Sequence, residues 1–249
     1  MDIYTMILKN KHILITGGNS GIGFCLAKQL HALGNSITVV SRSQKNWQSL
    51  QKLQPEVRLL RCDLSKKLEV LHLIQQLNDQ NAQTDVLINC AAIQNTPHLV
   101  DSHFSFDDIE KEVNTNFTAV VWLSYLLLPR LLSRPEAGIV NLSSGLALFP
   151  KAGSAVYCAS KAAIHNFSQS LRYQLNGHPL CISEVILPLV DTPMTQGRGK
   201  GKISPEAAAS AIIGAIERNK EEIYVGKARL LPPLIRLWPG LVKHILSRY

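Results

Sequence analysis

The stretch H-I-L-I-T-G-G-N-S-G-I-G, residues 12 to 23, joins a short apolar run to a turn rich in glycine, and a helix-forming segment follows it. In such a turn Gly17 permits a tight bend, Gly21 lets the backbone approach a pyrophosphate, and Gly23 lets the helix pack close to the strand. Glycine turns also occur for purely structural reasons, so their context matters. A strand before this turn and a helix after it predict a dinucleotide-binding unit.

Six more apolar runs follow, each separated from the next by enough residues for a helix. Strands that alternate with helices form a parallel sheet with both faces covered, which explains why these runs are apolar throughout. We therefore predict an α/β fold, a single Rossmann-type domain over residues 1–249 with a doubly wound parallel sheet of about seven strands and helices on both faces. The predicted strands are His12–Ile15, Ser36–Val40, Val57–Arg61, Asp85–Asn89, Gly138–Leu142, Cys181–Leu187 and Ile223–Val225.

Two helices are predicted most clearly, over residues 154–175 and 204–218. The second opens with S-P-E, in which Ser204 is suited to cap the helix and Pro205 to occupy its first position. The longest apolar run, residues 119–129, is shorter than the ~20 residues of a membrane-spanning helix. We expect it to form a buried helix, or one that packs against a second subunit.

The composition is that of one soluble core, with 46% hydrophobic and 18% charged residues. The five cysteines are scattered and never spaced as C-x-x-C, which indicates a reducing compartment, without disulfides and without a metal site. The first ten residues lack the pattern of a secretion signal. We therefore expect a cytoplasmic protein.

The net charge of +8 is concentrated in two segments. Residues 194–203, a predicted substrate lid, contain three basic residues, and the tail of residues 226–249 contains five and no acid. Such segments would attract an anionic substrate or an anionic membrane surface, while solvated surface charge explains them equally well. No nucleic-acid motif accompanies them, so we predict no nucleic-acid partner. The basic residues are Arg198, Lys200, Lys202, Lys227, Arg229, Arg236, Lys243 and Arg248.

The tail is also apolar, which suits a ligand channel, a subunit contact or a peripheral membrane contact. Core packing is nevertheless the more ordinary explanation for each of its large apolar side chains, and we expect it here. An apolar small-molecule substrate with an anionic end suits the lid and the tail together best. The apolar residues are Leu230, Leu231, Leu234, Ile235, Leu237 and Trp238.

The end of the second predicted strand reads V-V-S-R, so Ser41 and Arg42 stand where an adenosine ribose should lie. A carboxylate at this place binds the 2′-hydroxyl of NAD, whereas an arginine can pair with the 2′-phosphate of NADP. We therefore predict that NADP(H) is preferred over NAD(H), with a solvated strand-end charge as the alternative reading of Arg42. Asp63, after the third strand, is placed to hydrogen-bond the adenine amine.

Tyr157 and Lys161 stand four residues apart in Y-C-A-S-K, so a helix places them on one face. A nearby ammonium lowers the pKa of a tyrosine from about 10, which would let Tyr157 act as a general acid or base near neutral pH. Ser144, at the end of the fifth strand, can hydrogen-bond a substrate oxygen, and its neighbour Ser143 is the alternative. Asn116 could hold a water that links Lys161 to solvent, although most helix asparagines are simply satisfied polar residues.

These motifs together resemble the short-chain dehydrogenase/reductase family over nearly the whole chain. The matching segments are T-G-G-N-S-G-I-G at 16–23, D-L at 63–64, I-N-C-A-A at 88–92, N-F at 116–117, S-S at 143–144, Y-C-A-S-K at 157–161 and L-P-L-V-D-T-P-M at 187–194. The final segment is similar to bacterial oxidoreductases of the DltE-like branch.

The resemblance implies a catalytic tetrad of Ser144, Tyr157, Lys161 and Asn116, with hydride transfer between a nicotinamide cofactor and a substrate carbonyl carbon. It also implies a homodimer or homotetramer and no metal. The predicted cofactor contacts are Gly17, Asn19, Ser20, Gly21, Ile22, Gly23, Ser41, Arg42, Asp63, Leu64, Asn89, Ala91, Tyr157, Lys161, Pro188, Val190 and Thr192.

Two residues depart from the family pattern. Ala92 and Leu189 stand where members of the family usually carry glycine, and a side chain would be strained there if the backbone has a positive φ. We expect either change to weaken cofactor binding or to reshape the nicotinamide pocket. Neither change removes a catalytic group.

These residues predict an NADP(H)-dependent oxidoreductase that interconverts a small-molecule carbonyl and a secondary alcohol, with Tyr157 as the general acid and base. A different class stays open, namely a catalytically weak dinucleotide-binding regulator or scaffold that binds cofactor without turnover. An epimerase or dehydratase is disfavoured, because such relatives carry a larger substrate domain than residues 195–203 provide.

Overall fold

The computed structural model describes residues 6–44, 47–53, 56–102 and 104–246, which contain seven strands with ends within one residue of the predicted ones. The strands are β1 His12–Thr16, β2 Ser36–Ser41, β3 Arg58–Arg61, β4 Val86–Asn89, β5 Ala137–Leu142, β6 Leu180–Ile186 and β7 Glu222–Tyr224. They form one parallel sheet in the order β3-β2-β1-β4-β5-β6-β7. The strand order reverses between β1 and β4, where a parallel sheet opens a ligand crevice at its carboxyl edge. The predicted doubly wound sheet is confirmed.

Helices cover both faces of this sheet, and two more of the described helices follow its last strand. They are α1 Gly21–Ala32, α2 Trp47–Leu53, α3 Lys67–Asp79, α4 Phe106–Val113, α5 Ala119–Leu132, α6 Ala155–Gln174, α7 Pro205–Ile216, α8 Leu231–Leu237 and α9 Pro239–Leu246. Leu26 of α1 and Ile212 of α7 belong to the core on one face. Leu73 of α3, Leu127 of α5 and Leu171 of α6 belong to the core on the other. The two cores hold the strand ends in fixed positions relative to α1 and α6.

The predicted start of α7 is confirmed in detail. The Ser204 hydroxyl accepts a hydrogen bond from the backbone N–H of Ala207 at 3.1 Å, and Pro205 is the first helical residue. This bond satisfies one of the amide groups that a helix leaves without a partner in its first turn.

The apolar run at residues 119–129 forms α5, which continues the helical path from α4. Residues 106–132 together are long and apolar enough to cross a membrane, by length and composition. Glu112 and Asn116 are buried inside the protein, however, and Leu123 and Leu127 pack in the core, as a core helix requires. Tyr125 on the outer side of α5 is 73% exposed. Packing of this helix against a second subunit, and a cytoplasmic location, stay predictions.

The tail differs from the expectation. Residues 226–230 form a short 3-10 helix, and α8 and α9 follow it, while Arg248 lies outside the described residues. Core packing is wrong for Leu230, Leu237 and Trp238, which are exposed, and the other three predicted core residues of this segment are only half-buried. The physical reason is position, because α8 and α9 follow the last strand and lie outside the two cores that cover the sheet.

Candidate active site

A cleft of about 360 Å³ lies at the carboxyl ends of the central strands and is lined by most of the predicted site residues. Asn89 and Asn116 are the two predicted site residues that do not line it. Those that do are Gly17, Asn19, Ser20, Gly21, Ile22, Gly23, Ser41, Arg42, Asp63, Leu64, Ala91, Ser144, Tyr157, Lys161, Pro188, Val190 and Thr192. The fold therefore gathers residues from the whole length of the chain at one place.

The turn between β1 and α1 requires glycine at three positions. Gly17 and Gly21 have φ of +68° and +51°, in the region that residues with a side chain rarely adopt. A Cβ on Gly23 would stand 2.4 Å from the carbonyl oxygen of Gly17, and one on Gly21 would stand 3.1 Å from Thr192 Cγ2. Bare backbone thus faces the cleft at the N-terminus of α1, where amide groups and the helix dipole favour an anion. This cradle fits the pyrophosphate of a dinucleotide.

At the other end of the cleft, Arg42 is exposed beyond β2 and Asp63 follows β3. Burial alone would raise the pKa of Asp63, but hydrogen bonds from Ser65 and the charge of Arg42 together hold it below its usual value. The Ser41 hydroxyl donates to the Ser43 carbonyl at 2.8 Å and accepts from Trp47 Nε1 at 2.9 Å. Ser41 therefore fixes the loop after β2, and Arg42 supplies a cation to this end of the cleft.

Tyr157, Ser144 and Lys161 converge at the centre of the cleft. Lys161 Nζ lies 5.6 Å from the centre of the Tyr157 ring and donates a 2.8 Å hydrogen bond to the Leu142 carbonyl. The Ser144 hydroxyl lies beside the Tyr157 phenol and accepts from the Leu146 N–H at 3.2 Å. The predicted helix and the predicted strand end thus meet as expected.

Ser143 lies differently from its neighbour. Its hydroxyl points to the backbone carbonyl of Lys161 at 3.5 Å and the residue is buried. Ser144, rather than Ser143, therefore offers its hydroxyl to a group bound beside Tyr157.

The pKa values in this cluster follow from burial. Burial raises the pKa of Tyr157, and the nearby Ser144 hydroxyl offsets only part of that rise. Burial also lowers the pKa of Lys161 to about 8. The expected lowering of the Tyr157 pKa is wrong for the protein alone, because burial of the phenol outweighs the effect of the neighbouring Lys161 ammonium, which is directed at the Leu142 carbonyl.

Asn116 fits the alternative reading, that of a satisfied polar residue, and its possible water link to Lys161 stays a prediction. It lies in a π-helical turn, residues 114–118, between α4 and α5, and is fully buried. Its Oδ1 accepts from the Ile93 N–H at 2.8 Å, while its Nδ2 donates to the Ile93 carbonyl at 2.9 Å and to Ser160 Oγ at 3.2 Å. Both of its N–H groups are thus engaged in tying the loop after β4 to α6.

Asn89 lies behind the cleft, where its Nδ2 donates to Asn141 Oδ1 at 2.8 Å within the sheet. The two departures from the family pattern cause no backbone strain, since neither Ala92 nor Leu189 is among the residues with a positive φ. Ala92 lines the cleft, and the Leu189 side chain packs against Gly199 of the lid. The expected effect of both residues on cofactor binding stays a prediction.

The predicted lid is bonded at its C-terminal end to the residues that precede it. Ile203 pairs with Val190 in a β-bridge, and Lys202 Nζ bonds Asp191 Oδ1 at 3.1 Å and the Thr195 carbonyl at 2.7 Å. Lys202 is therefore committed to holding the lid, which the sequence alone did not reveal.

Arg198 in the middle of the lid reaches across to the loops beside Tyr157. Its Nη1 donates to Gln94 Oε1 at 2.9 Å, and Gln94 Nε2 donates to Ser154 Oγ at 3.2 Å. Burial lowers the pKa of Lys151, and the positive charge of Arg198 lowers it further. The same charge offsets part of the rise in the pKa of Tyr157. Sequence reasoning missed Lys151 and Gln94, because no motif marks a residue whose partner stands 104 positions away.

Comparisons with known proteins agree with this geometry. A family model described as short chain dehydrogenase matches residues 11–202. The uncharacterized oxidoreductase DltE of Bacillus subtilis is 34% identical over 227 residues, covering 88% of this chain and 89% of the relative. A fatty acyl-CoA reductase of Acinetobacter baylyi is 30% identical over 248 residues, covering 96% of this chain and 84% of the relative.

A solved structure shares the fold. A short-chain dehydrogenase from Burkholderia cenocepacia, in complex with NADP, superposes with a TM-score of 0.85 at 22% identity. The match covers 97% of this chain and 99% of that one.

Proposed function

The chain belongs to the short-chain dehydrogenase family and is a nicotinamide-dependent oxidoreductase, and from this premise we propose that it interconverts a carbonyl and a secondary alcohol with NADP(H). The observation that carries the proposal is the meeting of Tyr157, Ser144 and Lys161 in the cleft that also holds the glycine turn. One group of residues can exchange a proton with a substrate oxygen, and the other can bind the cofactor beside it.

The proton chemistry belongs to the chain itself, while a bound nicotinamide dinucleotide supplies or accepts the hydride. In the reducing direction Ser144 donates a hydrogen bond to the carbonyl oxygen, and Tyr157 donates its proton to that oxygen. Burial keeps the pKa of Tyr157 high, so its phenol stays protonated at neutral pH and is ready to act as the acid. Lys161, with a pKa of about 8, returns a proton to Tyr157. Asn116 acts as a positioning residue through its bonds to Ile93 and Ser160.

The preference for NADP(H) rests on Arg42, which stands at the adenosine end of the cleft without a carboxylate on β2 beside it. We expect Arg42→Asp to raise the Kd for NADPH about 30-fold, because charged hydrogen bonds to a phosphate contribute roughly 1.5–3 kcal/mol. The Kd for NADH should stay the same or fall, since the new carboxylate can bind a ribose hydroxyl. Cofactor titrations monitored by fluorescence measure both constants.

Arg218→Asp is the matched control, since Arg218 is an exposed arginine at the far end of α7. It should leave both Kd values unchanged. Equal affinity for NADPH and NADH in the wild type, or unchanged Kd values in Arg42→Asp, would support the alternative reading of Arg42 as a solvated surface charge.

We infer the substrate class from Arg198, whose charge reaches Tyr157, and from Lys151 near it. Arg198 is bonded to Gln94 on the loop after β4, and Lys151 lies close enough for its pKa to be lowered by Arg198. Two partly buried cations placed side by side repel each other, and an anion between them relieves that repulsion. A carbonyl substrate with an apolar body and an anionic end fits this arrangement. A fatty acyl-CoA, the substrate named for the Acinetobacter relative, has these two features, but it is a thioester whose reduction releases the thiol and gives an aldehyde, so it illustrates the recognition and not the proposed reaction.

We expect Arg198→Glu and Lys151→Glu each to raise KM about tenfold for a carbonyl substrate with a carboxylate end, because each replaces an attraction by a repulsion. The kcat/KM for a neutral carbonyl of the same length should change less than about twofold, as no catalytic group is touched. Lys200→Glu, an exposed lysine in the same lid, is the control and should have no effect on either substrate. Equal losses on both substrates would contradict an anion site.

A further inference from the structure

The C-terminal segment, defined as residues 226–246, presents large apolar side chains to solvent. Leu230, Leu237, Trp238 and Leu241 are between 53% and 61% exposed, and the three helical pieces that carry them are contiguous in the chain. A folded protein seldom leaves several such side chains exposed on one short segment without a contact surface for them. We therefore expect these four side chains to contact a binding partner.

The charges on the same segment restrict what that partner can be. Lys227, Arg229, Arg236 and Lys243 are all exposed, and the segment contains no acid. Apolar side chains interleaved with arginine and lysine, with a tryptophan among them, are the composition of a helix that lies in the interface of an anionic bilayer. A second copy of the chain fits less well, because a two-fold contact would set four cations against the same four cations.

The segment also borders the cleft. The Leu231 side chain packs so closely on Gly145, the residue after Ser144, that a Cβ there would stand 2.5 Å from Leu231 Cδ1. Lys227 Nζ stands 3.1 Å from the corresponding position on Gly201 of the lid. Gly226 lies against Ile203 at the end of the lid and against Pro188. Whatever binds the segment is therefore close to Ser144 and to the end of the predicted lid.

We propose that the C-terminal segment docks on an anionic lipid surface, with Leu230, Leu237, Trp238 and Leu241 inserted among the lipids and the four basic side chains at the phosphate level. Docking in this way places the opening of the cleft at the lipid surface, from which an apolar substrate can enter. The docking itself goes beyond the proposed function and does not depend on turnover.

The test uses the full chain and vesicles of phosphatidylcholine, with and without phosphatidylglycerol. Co-sedimentation should rise about tenfold when the anionic lipid is present and should fall as salt is added, because the attraction between exposed charges is screened. Tryptophan emission should shift to shorter wavelength on binding, and Trp238→Phe should remove that shift. Equal binding to both kinds of vesicle, or binding to neither, would overturn the proposal.

Two double variants of the segment, and one double variant elsewhere as a control, test which side chains bind the vesicles. Arg236→Glu/Lys243→Glu and Trp238→Ser/Leu241→Ser should each lower vesicle binding about tenfold, through charge and through insertion respectively. Lys67→Glu/Leu68→Ser on α3 changes an exposed cation and an exposed leucine in the same way and should bind as the wild type does.

Two further outcomes separate this proposal from its alternatives. Tyr157→Phe should bind vesicles as the wild type does, so a failure of the catalytic proposal leaves the docking result intact. Self-association in buffer that Trp238→Ser/Leu241→Ser abolishes, together with no vesicle binding, would assign the segment to a second copy of the chain and overturn docking on lipid.

Discussion

Tyr157→Phe is expected to lower kcat/KM for carbonyl reduction about 1,000-fold, because it removes the phenol that donates the proton beside Ser144, and proton transfer of this kind contributes roughly 10²–10⁴-fold. The Kd for NADPH should stay within about twofold of the wild type, since the ring and its packing remain. Steady-state oxidation of NADPH and a fluorescence titration of the same preparation measure the two quantities. A loss of rate without a loss of binding is the signature of a proton donor.

Tyr224→Phe is the matched control for this substitution. Tyr224 is half-buried on β7, and its hydroxyl bonds Glu222 at 2.8 Å, away from the residues that line the cleft. Its variant should keep the wild-type rate. Full activity in Tyr157→Phe, or a large rise in its Kd for NADPH, would remove Tyr157 from the proposed chemistry.

Gly23→Ala is expected to weaken NADPH binding about 100-fold, which corresponds to roughly 2.7 kcal/mol. The added Cβ would stand 2.4 Å from the Gly17 carbonyl oxygen, so the turn has to move, and the amide groups of the phosphate cradle move with it. The free energy of unfolding should fall by about 1–3 kcal/mol, as for other overpacked sites. Calorimetric titration with NADPH and urea unfolding without cofactor measure the two effects separately.

Gly214→Ala provides the control, because a Cβ on Gly214 in α7 would meet only the far end of the Arg218 side chain, at 3.5 Å. This substitution should leave the Kd for NADPH unchanged and raise the free energy of unfolding by about 0.5–1 kcal/mol, since alanine is favoured over glycine within a helix. Wild-type NADPH affinity in Gly23→Ala would show that the turn does not bind the dinucleotide.

The sequence carries enough information to locate the strands and the central cluster. Each strand is an apolar run bounded by polar or turn-forming residues, so its ends can be read to within one residue. Ser144 follows one of these strands and Tyr157 and Lys161 share one helix face, so their meeting follows from the topology alone. The glycine turn is equally local, because every contact that demands glycine at residue 23 comes from the turn itself.

Sequence reasoning missed the features that depend on contacts between residues far apart in the chain. The bond between Arg198 and Gln94 joins the predicted lid to the loop after β4, across 104 positions of the chain. The high pKa of Tyr157 depends on burial, which outweighs the neighbouring cation that the motif implies. Composition alone does not distinguish a buried tail from an exposed one, because either can contain the same leucine residues.

The most direct test of the central claim is the initial rate of NADPH and NADH oxidation, measured in parallel against carbonyl compounds graded in length, apolarity and charge, with Tyr157→Phe as the blank. The expected result is turnover that prefers NADPH, is fastest on a long carbonyl compound with an anionic end, and vanishes in the blank. Saturable binding of NADPH without turnover on any compound would contradict the claim and indicate a dinucleotide-binding regulator instead.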